Sequence, residues 1–408
     1  MGKKENGAGS IRQRPDGTWE GRYSAGVDPG TGKLIRKSIY GKTQKDVRER
    51  LTKIISSLDD GIYLEPSKLT VGQWFDIWLT EYCKEQKYLT VKQYRSMTDT
   101  HIKPGLGAVK LDKLTGPQVQ KFFNDLSVTG RTIRNTDRKT GKVTEYKVPL
   151  SPKTIRNIHG IMSKAFTTAI QQGMMKRNPV EYVSIPKVEK KEIAPLTDDQ
   201  IKQFLTVCAG HDFERVFKLI LFTGLREGEA LGLTWDCVDF DAGTLKINKQ
   251  MQKRPARDGG YMFAPLKNDK PRTLTAPPFV MQMLKDQSVH QLEQRLSAGE
   301  SWKGWQSMKE RETGLVFTRP DGTHLDVSVL YKTYKKFADL IGAPDSRVHD
   351  LRHTYAVVSL QNGDDIKTLQ GNLGHATAAF TLDVYGHVSD KMKQASADRM
   401  QVYHDSLG

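Results

Sequence analysis

Apolar positions change their period along this chain, and the changes divide it into three stretches. From residue 10 to 40 apolar and polar residues alternate in short runs: Ser10-Ile11-Arg12-Gln13-Arg14, then Thr18-Trp19-Glu20-Gly21-Arg22-Tyr23-Ser24, then Lys33 to Tyr40. A period of two sends successive side chains to opposite faces of a strand. Pro15-Asp16-Gly17 and Asp28-Pro29-Gly30-Thr31-Gly32 separate the runs with turn residues. Val47, Leu51, Ile54 and Ile55 then recur at helical spacing. The pattern predicts a three-stranded sheet backed by one helix, ending at the turn-rich residues 60–67.

From Thr70 the period is helical. Val71, Trp74, Phe75, Trp78 and Leu79 form one apolar stripe, and further helices are expected over 90–101, 116–126 and 152–172. A polar, basic insert from Gly130 to Lys147 reads as a loop or hairpin facing solvent or a polyanion. Residues 184–192 form a charged linker, and Thr197-Asp198-Asp199-Gln200 has the form of a capped helix start. An apolar helix through Phe213, Val216, Phe217, Ile220 and Leu221 leads into a turn at 223–229. Strands are expected at 244–251, 261–266 and 272–276, then helices from 278 to the end. The expected fold is multidomain α+β: a small sheet-plus-helix domain (1–66), an all-helical domain (67–186) and a mainly α domain with a small antiparallel sheet (187–408).

Composition narrows the function. The 408 residues carry a net charge of +16, with 37% hydrophobic residues, enough for packed domains. Residues 67–186 hold 20 Lys and Arg against 9 Asp and Glu, a net of +11, so most of the excess lies in the middle stretch. A polyanion such as nucleic acid is the simplest partner for that charge. No apolar run approaches the roughly 20 residues of a membrane helix, and residues 1–5 lack the apolar core of a secretory signal. Cys83, Cys208 and Cys237 are odd in number and far apart, which suits reduced thiols in the cytoplasm.

The chemistry concentrates late in the chain. Thr223-Gly224-Leu225-Arg226-Glu227-Gly228-Glu229 is followed by His349-Asp350-Leu351-Arg352-His353-Thr354, Leu373-Gly374-His375 and Asp383-Val384-Tyr385-Gly386-His387. A tyrosine attacking phosphorus exchanges one phosphodiester for another, so rejoining needs no ATP. Two permanently charged arginines suit the charge that builds on the phosphoryl oxygens, and His or Lys suits the proton transfers. Each signal alone has an ordinary reading. Arg226 could be a helix-surface partner of Glu229, and His349 with His353 has the i, i+4 spacing of a zinc helix. The residue after His349 is Asp350, however, where such a helix carries its Glu base.

In this order, Arg226, Lys267, His349, Arg352, His375 and Tyr385 resemble the active site of the tyrosine recombinases (phage-integrase family). The stretch 68–180 resembles that family's core-site-binding domain. Residues 9–57 resemble the arm-site-binding domain of integrases from conjugative transposons and temperate phages of Gram-positive bacteria. The resemblance implies that Tyr385 forms a 3′-phosphotyrosine. It implies that Arg226, Arg352 and His375 hold the scissile phosphate, that His349 handles the nucleophile's proton, and that Lys267 protonates the leaving oxygen, with Lys270 as its competitor. Glu229 and His353 are expected in support. Arg12, Arg14, Arg22, Arg36 and Lys37 are expected to meet DNA from the sheet. Neither metal nor cofactor is expected. The expected partners are double-stranded attachment sites, a homo-tetramer on DNA and a candidate small excision factor, in the nucleoid rather than a membrane. Two alternatives stay open: a type IB topoisomerase-like enzyme, which needs no specific site, and a DNA-binding regulator with a retired active site.

Overall fold

The computed structural model describes residues 9–27, 33–59, 69–137, 140–189, 194–255, 260–266, 270–374 and 390–407. The chain forms two compact units, residues 1–190 and 191–408. Among the described residues no helix is long and apolar enough to cross a membrane.

In the first unit, β1 (Ser10–Gln13), β2 (Trp19–Val27) and β3 (Leu34–Gly41) form an antiparallel sheet in that order. The first turn closes on Asp16, whose Oδ1 accepts from the Thr18 amide at 3.0 Å and its hydroxyl at 2.6 Å. Helix α1 (Gln44–Asp59) covers one face, burying Val47 and Leu51 with Tyr23 of β2. Pairing of Arg12 with Glu20, Arg22 with Ser38 and Ser24 with Arg36 puts three of the five candidate cations on the other face. Glu20 sits among them, only 3% exposed, accepting from Arg12 Nε at 2.7 Å, Arg22 Nε at 2.9 Å and Ser38 Oγ at 2.9 Å. Hydrogen bonds from Arg22 and Arg12 pull its carboxyl down to about 2. Arg14 lies 5.4 Å from the ring centre of Tyr40. Lys37 pairs with Tyr23, so it belongs to the α1 side and not to the face shared by Arg12, Arg22 and Arg36.

The helical part of this unit contains α2 (Val71–Ile77), α3 (Tyr88–Met97), α4 (Lys103–Leu106), α5 (Gly116–Thr129) and α6 (Pro152–Gln171). Thr70 caps α2 with Gln73 in a reciprocal pair, so the apolar stripe starts where a cap is available. The helix expected over 90–101 runs further than its pattern suggested, through a wide π turn (Thr98–Ile102) into α4. Pro104 explains the widening, since it has no N–H to donate and its ring crowds the carbonyl four residues back. Trp74, Phe75, Trp78, Phe123 and Phe166 fill the core. Trp74 donates its indole N–H to the Ala165 carbonyl at 3.1 Å, which fixes α2 against α6. The basic insert is a hairpin, β4 (Arg131–Thr136) with β5 (Val143–Val148), whose side chains are almost all exposed.

The second unit starts on α7 (Asp198–Val207), capped by Thr197 and Gln200. Helix α8 (Glu214–Thr223) follows, and rings of Phe204, Phe217 and Tyr334 meet at centre distances of 5.6–5.7 Å in its core. The turn expected at 223–229 contains a short helix, α9 (Glu227–Leu231). The single strand expected at 244–251 is two. After β6 (Val238–Asp239), β7 (Thr244–Ile247) pairs with β6 and with β10 (Arg272–Thr275), whereas β8 (Gln250–Lys253) pairs with β9 (Tyr261–Ala264) in a separate sheet. The run does not reveal a break at Asn248-Lys249, because its apolar residues Leu245, Ile247 and Met251 keep an even spacing across it. Helices α10 (Pro278–Ala298), α11 (Met308–Glu312), α12 (Val327–Leu340), α13 (Val348–Gln361), α14 (Ile366–Leu373) and α15 (Asp390–Asp405) complete the unit. The α+β expectation holds.

Trp74→Ala should lower the stability of the helical part by about 3–5 kcal/mol, through cavity formation and loss of the indole hydrogen bond. Denaturant titration checks this: an unchanged midpoint would mean that Trp74 does not anchor α2.

Candidate active site

Gly224 shapes the site. It ends α8 with a left-handed φ of 66°, and a Cβ there would stand 2.4 Å from the Tyr355 ring and 2.8 Å from Leu373. Only glycine satisfies both the backbone turn and the close approach of α13 and α14. The turn aims the Gly224 carbonyl at Arg352, whose Nη1 donates to it at 2.7 Å, while Nη2 donates to the Leu373 carbonyl at 2.5 Å. Arg352 is 1% exposed, so this permanent cation is oriented by main chain from two separate segments.

Two residues beyond Gly224, Arg226 occupies the N-cap position of α9, and its side chain keeps 22% exposure. Its Nη1 donates to Glu229 Oε1 at 2.7 Å and its amide to Glu229 Oε2 at 3.1 Å. Arg272, on β10, meets the same carboxylate: Nη2 to Oε2 at 2.6 Å and Nη1 to Oε1 at 3.2 Å. Arg272 Nε also donates to the Asn372 carbonyl at 2.8 Å. Burial pushes the Glu229 carboxyl up, but the Arg272 bonds and both charges override it and hold it at about 2. The sequence reading missed Arg272. Its only local sign is a charged residue in a strand that otherwise reads as core edge.

His349 and His353 lie one turn apart on α13, with ring centres 4.8 Å apart and planes near perpendicular. His349 reaches solvent, yet burial of its ring, the His353 ring and the cations of Arg352 and Arg226 push it down to about 4. It is therefore neutral at pH 7. Burial lowers His353 as well. Asp350 is engaged elsewhere: it accepts from the Arg347 amide at 2.9 Å and Nη2 at 3.0 Å, closing the N-terminus of α13. Among the described residues no cluster of three His, Cys, Asp or Glu could hold a metal ion. Thr354 joins the arrangement by accepting from the Leu196 amide at 3.0 Å. The structure thus brings Arg226, Glu229, Arg352, His349 and His353 together. Lys267, His375 and Tyr385 lie outside the described residues. Lys270 is described and exposed, just before β10.

The profile of the Phage integrase family matches residues 195–392, and that of the Phage integrase, N-terminal SAM-like domain matches residues 70–127. This chain belongs to the phage integrase family, and it is a tyrosine recombinase. A tyrosine recombinase XerC-like protein of Caldanaerobacter subterraneus is 29% identical over 90% of this chain and 92% of its own length. The ICEBs1 integrase of Bacillus subtilis is 22% identical over 96% of this chain and 99% of its own. Among solved structures, the Tn1549 transposon integrase in complex with transposon right end DNA has a TM-score of 0.64 at 19% identity, covering 82% of this chain and 100% of that one. A lambda integrase tetramer bound to a Holliday junction has a TM-score of 0.52 at 18% identity, covering 95% and 99%. These last two are likenesses of fold.

Glu227, beside Arg226, is a buried carboxyl whose Oε1 has no hydrogen-bond partner, and burial raises it to about 7. The folded state therefore holds this proton more tightly than the unfolded chain. Its burial adds no penalty below about pH 4.5 and an increasing one as the pH rises through 7. Glu227→Gln should match wild type in stability near pH 4.5 and exceed it at pH 8, by up to about 3 kcal/mol. Melts at the two pH values decide it, and a pH-independent difference would contradict the buried carboxyl.

Proposed function

We propose that this protein integrates and excises a mobile element by site-specific recombination, cutting and rejoining duplex DNA through a tyrosyl phosphate on Tyr385, without metal or ATP. The observation that carries the reading is the convergence of Arg226, Arg352 and neutral His349 around the Gly224 turn. Tyr385 Oη forms a bond to phosphorus as the bond from phosphorus to the 5′ oxygen breaks. Its phenolic proton goes to His349, and Lys267 gives a proton to the departing oxygen. Arg226 and Arg352 take the charge that accumulates on the phosphoryl oxygens, where fixed guanidinium groups outside bulk water act most strongly. His375 adds a hydrogen bond to the same group. An arriving phosphate also places negative charge near His349, which raises its basicity just when a base is required.

The domain roles follow the same reading. Residues 1–66 hold arm sites through the face of Arg12, Arg22 and Arg36, with Arg14 at its edge and Lys37 on the far side. Residues 67–186 hold the core site, and 187–408 carry the chemistry. Duplex DNA is the partner, and a tetramer on two duplexes is the working assembly, in line with the DNA complexes and the tetramer of the structurally similar integrases. A small excision factor is a further proposed partner, and the nucleoid the proposed location.

Purified protein incubated with nicked duplexes from DNA flanking its gene, in EDTA, should give a covalent adduct on a denaturing gel. Tyr385→Phe should abolish the adduct, and Arg226→Ala should reduce it at least a hundredfold with binding within a fewfold of wild type. Adducts on any duplex regardless of sequence would favour the topoisomerase reading. Specific binding without an adduct would favour the regulator.

The β4–β5 hairpin offers a second check. Arg131, Arg134, Lys142 and Lys147 are exposed on a ribbon of a width the major groove admits. Replacing all four with Ala should flatten the slope of log Kobs against log salt by roughly 3. An unchanged slope would place the hairpin off the DNA.

A further inference from the structure

We propose that Arg272 is a positioning residue for strand cleavage, setting Arg226 against the segment that leads into His375. The inference rests on the recombinase reading and adds a residue to it. Glu229 is 1% exposed and receives four N–H groups: one side-chain and one backbone N–H from Arg226, and two from Arg272. Two planar carboxylate oxygens thus serve two cations at once, and each cation limits where the other can lie. Arg272 then reaches past Glu229 to the Asn372 carbonyl, three residues before His375. The packing there is close, since a Cβ on Gly374 would stand 3.0 Å from Arg272 Nη1. One guanidinium therefore joins β10, the start of α9 and the end of α14, whose bonded residues are 43 and 100 positions away in sequence.

Charge gives the link a second effect. Glu229 alone would neutralise Arg226 and compete with the phosphate for it. With Arg272 paired to the same carboxylate, the trio keeps a net charge of +1, which leaves the Arg226 field available to the substrate. Arg272 itself spends Nη1 and Nη2 on Glu229 and Nε on the Asn372 carbonyl, so it acts through Arg226 and not on the DNA.

The test uses the full chain with Arg272→Met and Arg272→Lys. DNA affinity, Tm and the single-turnover rate of adduct formation are measured on nicked duplexes. Each duplex is made in two forms, with oxygen or with sulfur as the departing 5′ atom. Sulfur leaves without a proton, because a thiol is a far stronger acid than an alcohol, so it rescues only defects in leaving-group protonation. The expected result is DNA affinity within threefold of wild type for both variants. Cleavage should fall at least a hundredfold in Arg272→Met and about tenfold in Arg272→Lys, which keeps the charge but lacks the fork. Sulfur should restore neither. Recovery with sulfur would overturn the proposal by moving the effect to the proton donor. Full activity in Arg272→Lys, with loss of Tm and cleavage together in Arg272→Met, would overturn it in favour of simple charge balance. If Arg272→Met does not fold, Arg272→Lys alone decides by the same readings. Absence of an adduct with wild type would instead count against the recombinase chemistry.

Discussion

A carboxylate taken almost wholly out of water is unstable unless cations meet it, and Glu229 is such a group. Everything around the active-site turn is arranged to satisfy it. Arg226 and Arg272 share that carboxylate, so each stays where Glu229 and the other cation set it. A buried ion network of this kind adds little net stability when it is complete. Its contribution is geometric, because removing one member costs more than the set gains. The reactive cation is thereby fixed before substrate arrives, and no reorganisation is left for the transition state.

The same logic extends to Arg352, which donates to the carbonyls of Gly224 and Leu373. No anion competes with phosphate for it through those two bonds. The two arginines are therefore oriented by different means, one by a shared counter-charge and one by dipoles. Both depend on where α8 ends, and that is set by a glycine that ring and methyl groups of α13 and α14 crowd on the side a Cβ would occupy.

Much of this was legible in the chain itself. The alternating runs at 10–40 became three paired strands with their helix, and the stripes of Trp74 and Ile155 became the helical core. Local signals sufficed there because period and capping act within a few residues. The motif residues at 223–229 and 349–354 were also readable, since their chemistry is unusual in combination. Arg272 was not. Its partners lie 43 and 100 positions away, and no local pattern separates a buried arginine from a surface one. The break in the strand expected at 244–251 escaped for a related reason: its two halves differ only in which distant strand each one pairs with. The widening before Pro104 was in principle readable, because a proline inside a helical pattern must disturb it.

Main-chain carbonyls carry no sequence. A guanidinium that is aligned on the oxygens of Gly224 and Leu373 depends on the path of the backbone and not on which side chain occupies position 373. Apolar replacements of similar size at Leu373 should therefore drift freely over evolutionary time without disturbing Arg352. Position 224 has no such latitude, so mutational tolerance in this site is expected to be sharply uneven between neighbours that touch the same residue.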